Sequence, residues 1–268
     1  MKQTFKNQLT FKNTILGVQF LFVAFGATVL VPLFHLVTKG SVPVFLGSSF
    51  AFIPPIIEAT KLYGLPGTLS SIIAVGIIYT IFSAIVKVRG LKLIQRLFPA
   101  VVVGPVIMII GLSLASVAVD MAKTDWTIAV ITLGIAVAVV IFGKGMIKLI
   151  PIFIAIIGGY IVAAIWGKID YTAIQEAAWF SLPNFTAPKF HWQAILYMIP
   201  VAVAPIIEHV GDMYAIGGVC EKDFVQKPGL HRTLLGDGLA TSLAGFFGGV
   251  PNTTYSEVTG AISLTKVT

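Results

Sequence analysis

The stretch GVPNTTYSEVTG, Gly249 to Gly260, decides how this chain is read. It stands between apolar runs, is too short to cross a bilayer, opens on a proline turn and carries Glu257. In hydrocarbon every backbone N–H and C=O needs a partner. Irregular backbone at that depth is tolerated only where protein or a water-filled cavity surrounds it. A second stretch of this kind lies near the front: VPVFLGSSFAFIPPIIEA, 42–59, interrupted by Gly47 and by Pro54-Pro55. Each sets a Val-Pro a few residues before a cluster of small polar and aromatic residues. Two short, Gly/Pro-interrupted segments in corresponding halves of a chain point to a transporter binding site. Ser48 and Ser49, or Asn252 and Thr253, are placed to cap half-helices. The half-helix N-termini would then offer N–H donors and a positive dipole end to a ligand. Either segment alone reads equally as a loop or an interfacial helix; it is the pair that indicates a site.

Composition fixes the surroundings. Of 268 residues, 57% are hydrophobic and only 11% charged, against about 45–50% and about 25% in a soluble chain. One water-soluble core cannot hide that much apolar surface, so the expected class is an all-α polytopic membrane protein. The net charge of +7 does not indicate nucleic acid, because Lys and Arg sit in short loops between apolar runs. Cys220 is alone, which excludes an intrachain disulfide and a cysteine metal cluster. The basic N-terminus precedes an apolar run without a small-residue cleavage site, which reads as a retained first span.

A span needs about 20 apolar residues. Spans are expected near 14–34, 68–87, 98–119, 127–143, 150–166, 194–218 and 232–248, with a polar loop over 167–193. Lys2, Lys6 and Lys12 place the N-terminus in the cytoplasm. Lys87, Arg89, Lys92 and Arg96, then Lys144 and Lys148, then Lys222, Lys227 and Arg232 mark further inner loops. The front end breaks this alternation. Span 14–34 leaves the cytoplasm and span 68–87 returns to it, so segment 42–59 either re-enters or has lost a partner span.

Four acids lie in apolar surroundings: Glu208, Asp212, Asp237 and Glu257. A charge at the bilayer centre costs about 2.5–3.5 kcal/mol on insertion scales, so such residues face a bundle interior and act there. Glu208 and Asp212 are four apart and share a helix face. Pro200 and Pro205 before them free nearby carbonyls. His209 projects about 100° around the helix from Glu208. Glu208 and Glu257 read as functional. Asp212 lies nearer the inner end, where an interfacial placement is the alternative. Asp237, between Gly236 and Gly238, reads as a tie between helices, and Glu58 before Lys61 as a solvated pair. His35, His191 and His231 are expected in loops. No metal-ligand spacing occurs, and neither metal nor cofactor is expected. The chain has no HExxH, GxSxG or Walker A motif. An ion-coupled secondary carrier therefore fits better than a membrane protease, a serine hydrolase or an ATP-driven pump.

At these residues the chain resembles a known family. GATVLVPL (26–33), TKGSVPVFLGSSFAFI (38–53), IIEHVGD (206–212), GDGLATSLAGFFGGVPNTTYSE (236–257) and LTKV (264–267) resemble the uracil-permease branch of the nucleobase–ascorbate transporters. The resemblance implies fourteen spans in two inverted seven-span repeats, with a core domain packed against a gate. Its third and tenth spans, 42–59 and 250–266 here, are each a short strand followed by a helix, with the nucleobase held between them and a proton accompanying it. By position, Glu208 and Glu257 would bond the uracil ring N–H groups. The backbone N–H groups of Phe50 and Ser256 would meet ring carbonyls, and Tyr255 and Ala27 would line the pocket. Glu208 and Asp212 are the expected proton-coupling carboxyls, with Asp237 and Asn252 in the polar core.

The chain also departs from the family. A usual first-span histidine is Phe20, a usual glycine is Ser256, a usual asparagine is Val258, and a histidine of some members is Asp212. The expected domains are core spans over 1–97, gate spans over 98–167, an external loop over 168–193, and core spans over 194–268. The second span is expected to be missing between Leu33 and Phe34, and the chain to stop after the tenth. The expected function is proton-coupled uptake of uracil across the cytoplasmic membrane, with a homodimer implied. Glu257 stands where xanthine-type members usually carry Gln. The alternatives are a purine carrier or a shortened remnant that does not transport.

Overall fold

The structure, a computed structural model, describes residues 31–97, 99–169, 171–175, 185–255 and 262. Their helices are α1 (Val31–Thr38), α2 (Ile53–Arg89), α3 (Leu91–Leu97), α4 (Ala100–Ala122), α5 (Trp126–Phe142), α6 (Pro151–Ile165), α7 (Thr172–Gln175), α8 (Trp192–Met198), α9 (Val203–Cys220) and α10 (Leu230–Phe246). Two strands of three residues, β1 (Leu46–Ser48) and β2 (Asn252–Thr254), complete the set. The chain divides into two compact units. One is built on Ala115–Ser181, the other on Leu16–Leu114 with Leu182–Thr268.

In the larger unit α2 is the organising element. Pro54 and Pro55 fall in its first turn, where the missing proline N–H groups would have had no helical partner anyway. The helix breaks at Gly64, whose φ of 71° and ψ of 164° are not helical, just ahead of Pro66. It ends at Gly90, with φ 74°. The polar stretch before α8 is fastened at the break: Lys189 N–H donates to the Pro66 carbonyl at 2.9 Å.

Below the break α2 crosses α10 at close quarters. A Cβ on Gly76 would lie 2.4 Å from the Gly238 carbonyl and 2.2 Å from Ser242 Oγ. A Cβ on Gly238 would lie 2.8 Å from the Gly76 carbonyl. Small residues let helix backbones approach, which gives close dispersion contact where no hydrophobic drive exists between helices in lipid. Ser242 Oγ donates to the Ile73 carbonyl at 3.3 Å, and Ser83 Oγ donates to the His231 carbonyl. Phe34 of α1 lies against Gly236 on the same helix. Around this crossing Phe34, Leu46, Phe52, Tyr79, Met198, Met213 and Leu234 are fully buried.

In the smaller unit α5 packs on α6, with Thr132 and Ile135 over Gly159 and Gly158. Asp125 caps α5, accepting from the Thr127 and Ile128 N–H groups at 3.1 Å each. Its other oxygen pairs with Lys168. The Lys168 hydrogen bond and then the Ile128 N–H hold its carboxyl below its ordinary value of 3.8.

Three helical stretches among the described residues are long and apolar enough to cross a membrane: Phe50–Arg89, Val101–Ala122 and Trp192–Cys220. Trp126–Phe142 and Pro151–Ile165 are apolar but shorter. Val101 on α4 is 82% exposed and Leu112 73%. A water-soluble protein does not present a continuous apolar surface of this kind, whereas lipid covers it at no cost.

Several expectations are corrected. Segment 42–59 and span 68–87 follow one another directly as two helices that meet at Gly64, where the backbone is not helical. The expected span 194–218 falls within Trp192–Cys220, which tightens to a 3-10 turn at Pro200–Ala202, since proline supplies no N–H to the preceding turn. His35 and His231 lie within α1 and α10 rather than in loops, and His191 occupies the N-cap of α8.

Two measurements on detergent-solubilised chain check this packing. Gly76→Ala is expected to cost about 1–3 kcal/mol, because backbone must shift to admit the methyl group. Gly218→Ala, where an added Cβ meets nothing within 4 Å, should instead gain up to about 1 kcal/mol of helix propensity. Thermal melts that rank the two the other way would contradict the crossing. The Asp125 cap has a definite pH signature. A depressed carboxyl stabilises fully above its ordinary 3.8 and loses that contribution as pH falls through its folded value. Melting curves of wild type and Asp125→Asn should therefore be separated at pH 7 and converge in acid.

A candidate substrate cradle

The two short segments meet. β1 and β2 pair antiparallel, with Leu46 opposite Thr254, Gly47 opposite Thr253 and Ser48 opposite Asn252. The ladder continues at both ends. Ser49 N–H donates to the Pro251 carbonyl at 2.9 Å, and Tyr255 N–H to the Phe45 carbonyl at 3.0 Å. Each segment thereby supplies the backbone partners that the other lacks, which is the condition for extended chain to persist among membrane helices.

Gly47 is required by what lies over it. A Cβ there would fall 2.3 Å from Tyr255 Cζ. The tyrosine ring therefore rests on the β1 backbone, and its hydroxyl donates to the Ser48 carbonyl at 3.0 Å. The ring faces Phe50, with centroids 6.3 Å apart and planes 19° from parallel. Phe45 flanks it at 6.2 Å. Phe50 opens a 3-10 turn, Phe50–Phe52, and is 54% exposed. Two nearly parallel aromatic rings beside polar backbone form a surface suited to a flat heterocycle.

Side chains from two helices hold the strands. Thr254 Oγ1 donates to Asp212 Oδ2 of α9 at 2.7 Å, and the Asn252 N–H donates to Thr241 Oγ1 of α10 at 3.1 Å. Asn252, Thr253 and Thr254 are all buried. Asp212 is buried as well. Glu208 is half-buried on α9, one turn before Asp212 and about 6 Å along the axis. His209, on the neighbouring face, sets Nδ1 3.1 Å from Asp237 Oδ2 of α10, both side chains fully buried.

Phe50, Tyr255, Asn252, Asp212 and Asp237 are thus linked through β1, β2, α9 and α10, with Glu208 on α9. Ala27, Ser256 and Glu257 lie outside the described residues. The capping expectation is corrected. Ser48, Asn252 and Thr253 are strand residues, and Ser49 stands at the N-cap of the 3-10 turn without a side-chain capping bond. Pairing claims these backbones before a helix can start. Sequence reading did not single out His209, Thr241, Thr254 or Tyr79 as site residues. The Gly-Asp-Gly around Asp237 was the available signal, since flanking glycines let a buried carboxyl reach across a tight helix contact. Among the described residues no group of three or more His, Cys, Asp or Glu is arranged to hold a metal ion.

Broken segments paired among apolar helices describe a membrane carrier, and comparison with known proteins agrees. A sequence profile described as Permease family matches residues 33–268. The chain is 47% identical over 289 residues to a Haemophilus influenzae protein named "Probable uracil permease", an alignment covering 97% of this chain and 70% of the relative. It is 48% identical to the protein of that name from Pasteurella multocida, covering 95% and 68%. It is 38% identical to the uracil permease of Escherichia coli strain K12, covering 94% and 66%. The chain belongs to this permease family. It spans about two thirds of the length of these relatives, and the 289-residue alignment is longer than its own 268 residues.

The Asp212–Thr254 link is testable by stability alone. Asp212→Ala strands a buried hydroxyl and should cost about 1–3 kcal/mol in denaturant or heat. Asp212→Asn keeps an acceptor and should lose less. Equal losses for the two variants would mean that the carboxyl does not hold the strand.

Proposed function

We propose that this chain carries uracil or a closely related nucleobase across the cytoplasmic membrane, driven by a proton. The observation that carries the reading is the β1–β2 pairing, which brings Phe50 and Tyr255 together beside the helix of Glu208. Uracil is flat and alternates C=O with N–H. Ring faces, carboxylates and backbone N–H groups complement all of its edges. In this reading Glu208 and Glu257 accept from the ring N–H groups, while the Phe50 and Ser256 N–H groups donate to ring carbonyls. Tyr255 and Ala27 close the sides. Asn252 and Asp237 maintain the polar core. Glu208 and Asp212, on one face of α9, are the carboxyls that couple the proton to the substrate.

The reading extends to the architecture. The chain is multi-pass with a cytoplasmic N-terminus, and it forms part of a seven-plus-seven inverted repeat that works as a homodimer. Core spans lie over 1–97 and 194–268, gate spans over 98–167, and an external loop over 168–193. A missing second span accounts for the broken charge alternation at the front. An alignment longer than the chain itself supports that gap. The same gap favours a second reading, a membrane protein that binds the nucleobase without alternating access.

Reconstituted liposomes with an inward proton gradient and labelled uracil separate these readings. Saturable uptake, lowered at least about tenfold by Glu208→Gln and by Glu257→Gln, is the expected result. Binding without uptake selects the second reading, and displacement by xanthine before uracil selects a purine carrier. No binding of any nucleobase would end the proposal.

A further inference from the structure

Where α2, α9 and α10 meet, His209, Asp237 and Tyr79 are each fully buried. His209 Nδ1 and Asp237 Oδ2 are 3.1 Å apart. The outer atoms of the three groups, His209 Nε2, Asp237 Oδ1 and the Tyr79 hydroxyl, have no hydrogen-bond partner among the described residues. Tyr79 stands close against α10, its Cβ lying 2.8 Å from where a Cβ on Gly238 would stand.

A simple helix tie does not call for this arrangement. Buried polar atoms are nearly always paired, and a group of orphaned ones has a reason to be there. A neutral imidazole beside a carboxylate carries a net charge of −1. One added proton makes an imidazolium–carboxylate pair of net charge zero, the state that a low-dielectric interior favours. The groups facing the pair are Tyr79 from α2, Asp237 from α10, and Glu208 and Asp212 along α9. β2 meets α9 through the Thr254 hydroxyl on Asp212, and α1 meets α10 through Phe34 against Gly236. Asp212 is already engaged by Thr254, whereas His209 directly follows Glu208 in the chain.

We propose that His209 and Asp237, with Tyr79 beside them, hold the proton that travels with the substrate, leaving the Glu208 carboxylate to hydrogen-bond the substrate. This deepens the carrier reading and rests on it. The Nε2 lone pair of His209 takes one aqueous proton and later returns it. In the tautomer that carries its hydrogen on Nδ1, that N–H goes on donating to Asp237 Oδ2, and no other bond changes. Protonation removes the net negative charge of the pair beside Glu208, which favours the ionised Glu208 that accepts from the substrate, so proton and substrate favour each other's binding reciprocally.

The test is a histidine nitrogen-15 NMR titration of the full chain in lipid nanodiscs, over roughly pH 5 to 9. His209 is one of four histidines, and single Gln variants of His35, His191 and His231 assign it by elimination. Protonation at Nε2 within that range is expected. Its midpoint should fall by at least about one pH unit in Asp237→Asn, which removes the stabilising charge. It should rise when uracil is added, with about one proton taken up per uracil bound, counted by calorimetry in two buffers. A His209 that keeps one neutral tautomer throughout, or a midpoint that neither Asp237→Asn nor uracil moves, overturns the proposal. Should Asp237→Asn not fold, the wild-type titration and the proton count decide. A chain that binds no uracil yet titrates at His209 with the Asp237 dependence fails the carrier reading while upholding the pair as a proton site, so the two failures are distinguishable.

Discussion

The pairing of β1 with β2 is the constraint from which the rest of the larger unit follows. Three-residue strands have little stability of their own. Here they persist because each removes the unsatisfied backbone groups of the other where neither water nor lipid can do so. The pair must also be located, and Thr254 on Asp212 and Asn252 on Thr241 fix it against α9 and α10. Those helices are positioned in turn, α10 by its glycine contact with α2 and α9 by the His209–Asp237 pair. Strand pairing, helix crossing and buried carboxyls thus form one closed set of contacts.

That set places three carboxyls in different surroundings. Asp212 and Asp237 are buried, and each makes a specific bond to a neighbouring element. Glu208, one turn before Asp212 on α9, is only half-buried. A buried carboxyl persists among membrane helices only where such a partner meets it.

How much of this was legible in the sequence depended on range. Apolar runs and loop charges identify a membrane protein because they report local transfer free energies. Val42-Pro43 and Val250-Pro251 mark the broken segments because proline and glycine act on their immediate neighbours. The antiparallel register was not legible. It joins residues some 200 positions apart, and three residues per strand carry no usable alternation. Capping by Ser48, Asn252 and Thr253 was a fair local inference that a tertiary partner overrode. His209 was seen only as the neighbour of Glu208, since its partner is on another helix. The Gly64 break was overlooked for a related reason. One glycine in an apolar run fixes nothing until Pro66 and the stretch ahead of α8 close around it.

That break has a mechanical consequence. Ahead of Gly64 the chain carries the Phe50 ring on the 3-10 turn that leads into α2; beyond it, α2 carries Tyr79 and the glycine crossing. Pro66 has no N–H, so pivoting at this elbow breaks few backbone bonds. The chain ahead of α8 is fastened to the elbow by Lys189 on the Pro66 carbonyl and by the His191 ring 4.9 Å from Tyr63. That strap is tied on both sides of the elbow, to Tyr63 ahead of it and, through the His191 N–H on Ser70 Oγ at 3.3 Å, to the span beyond it, so it braces the angle between the aromatic rings and that span.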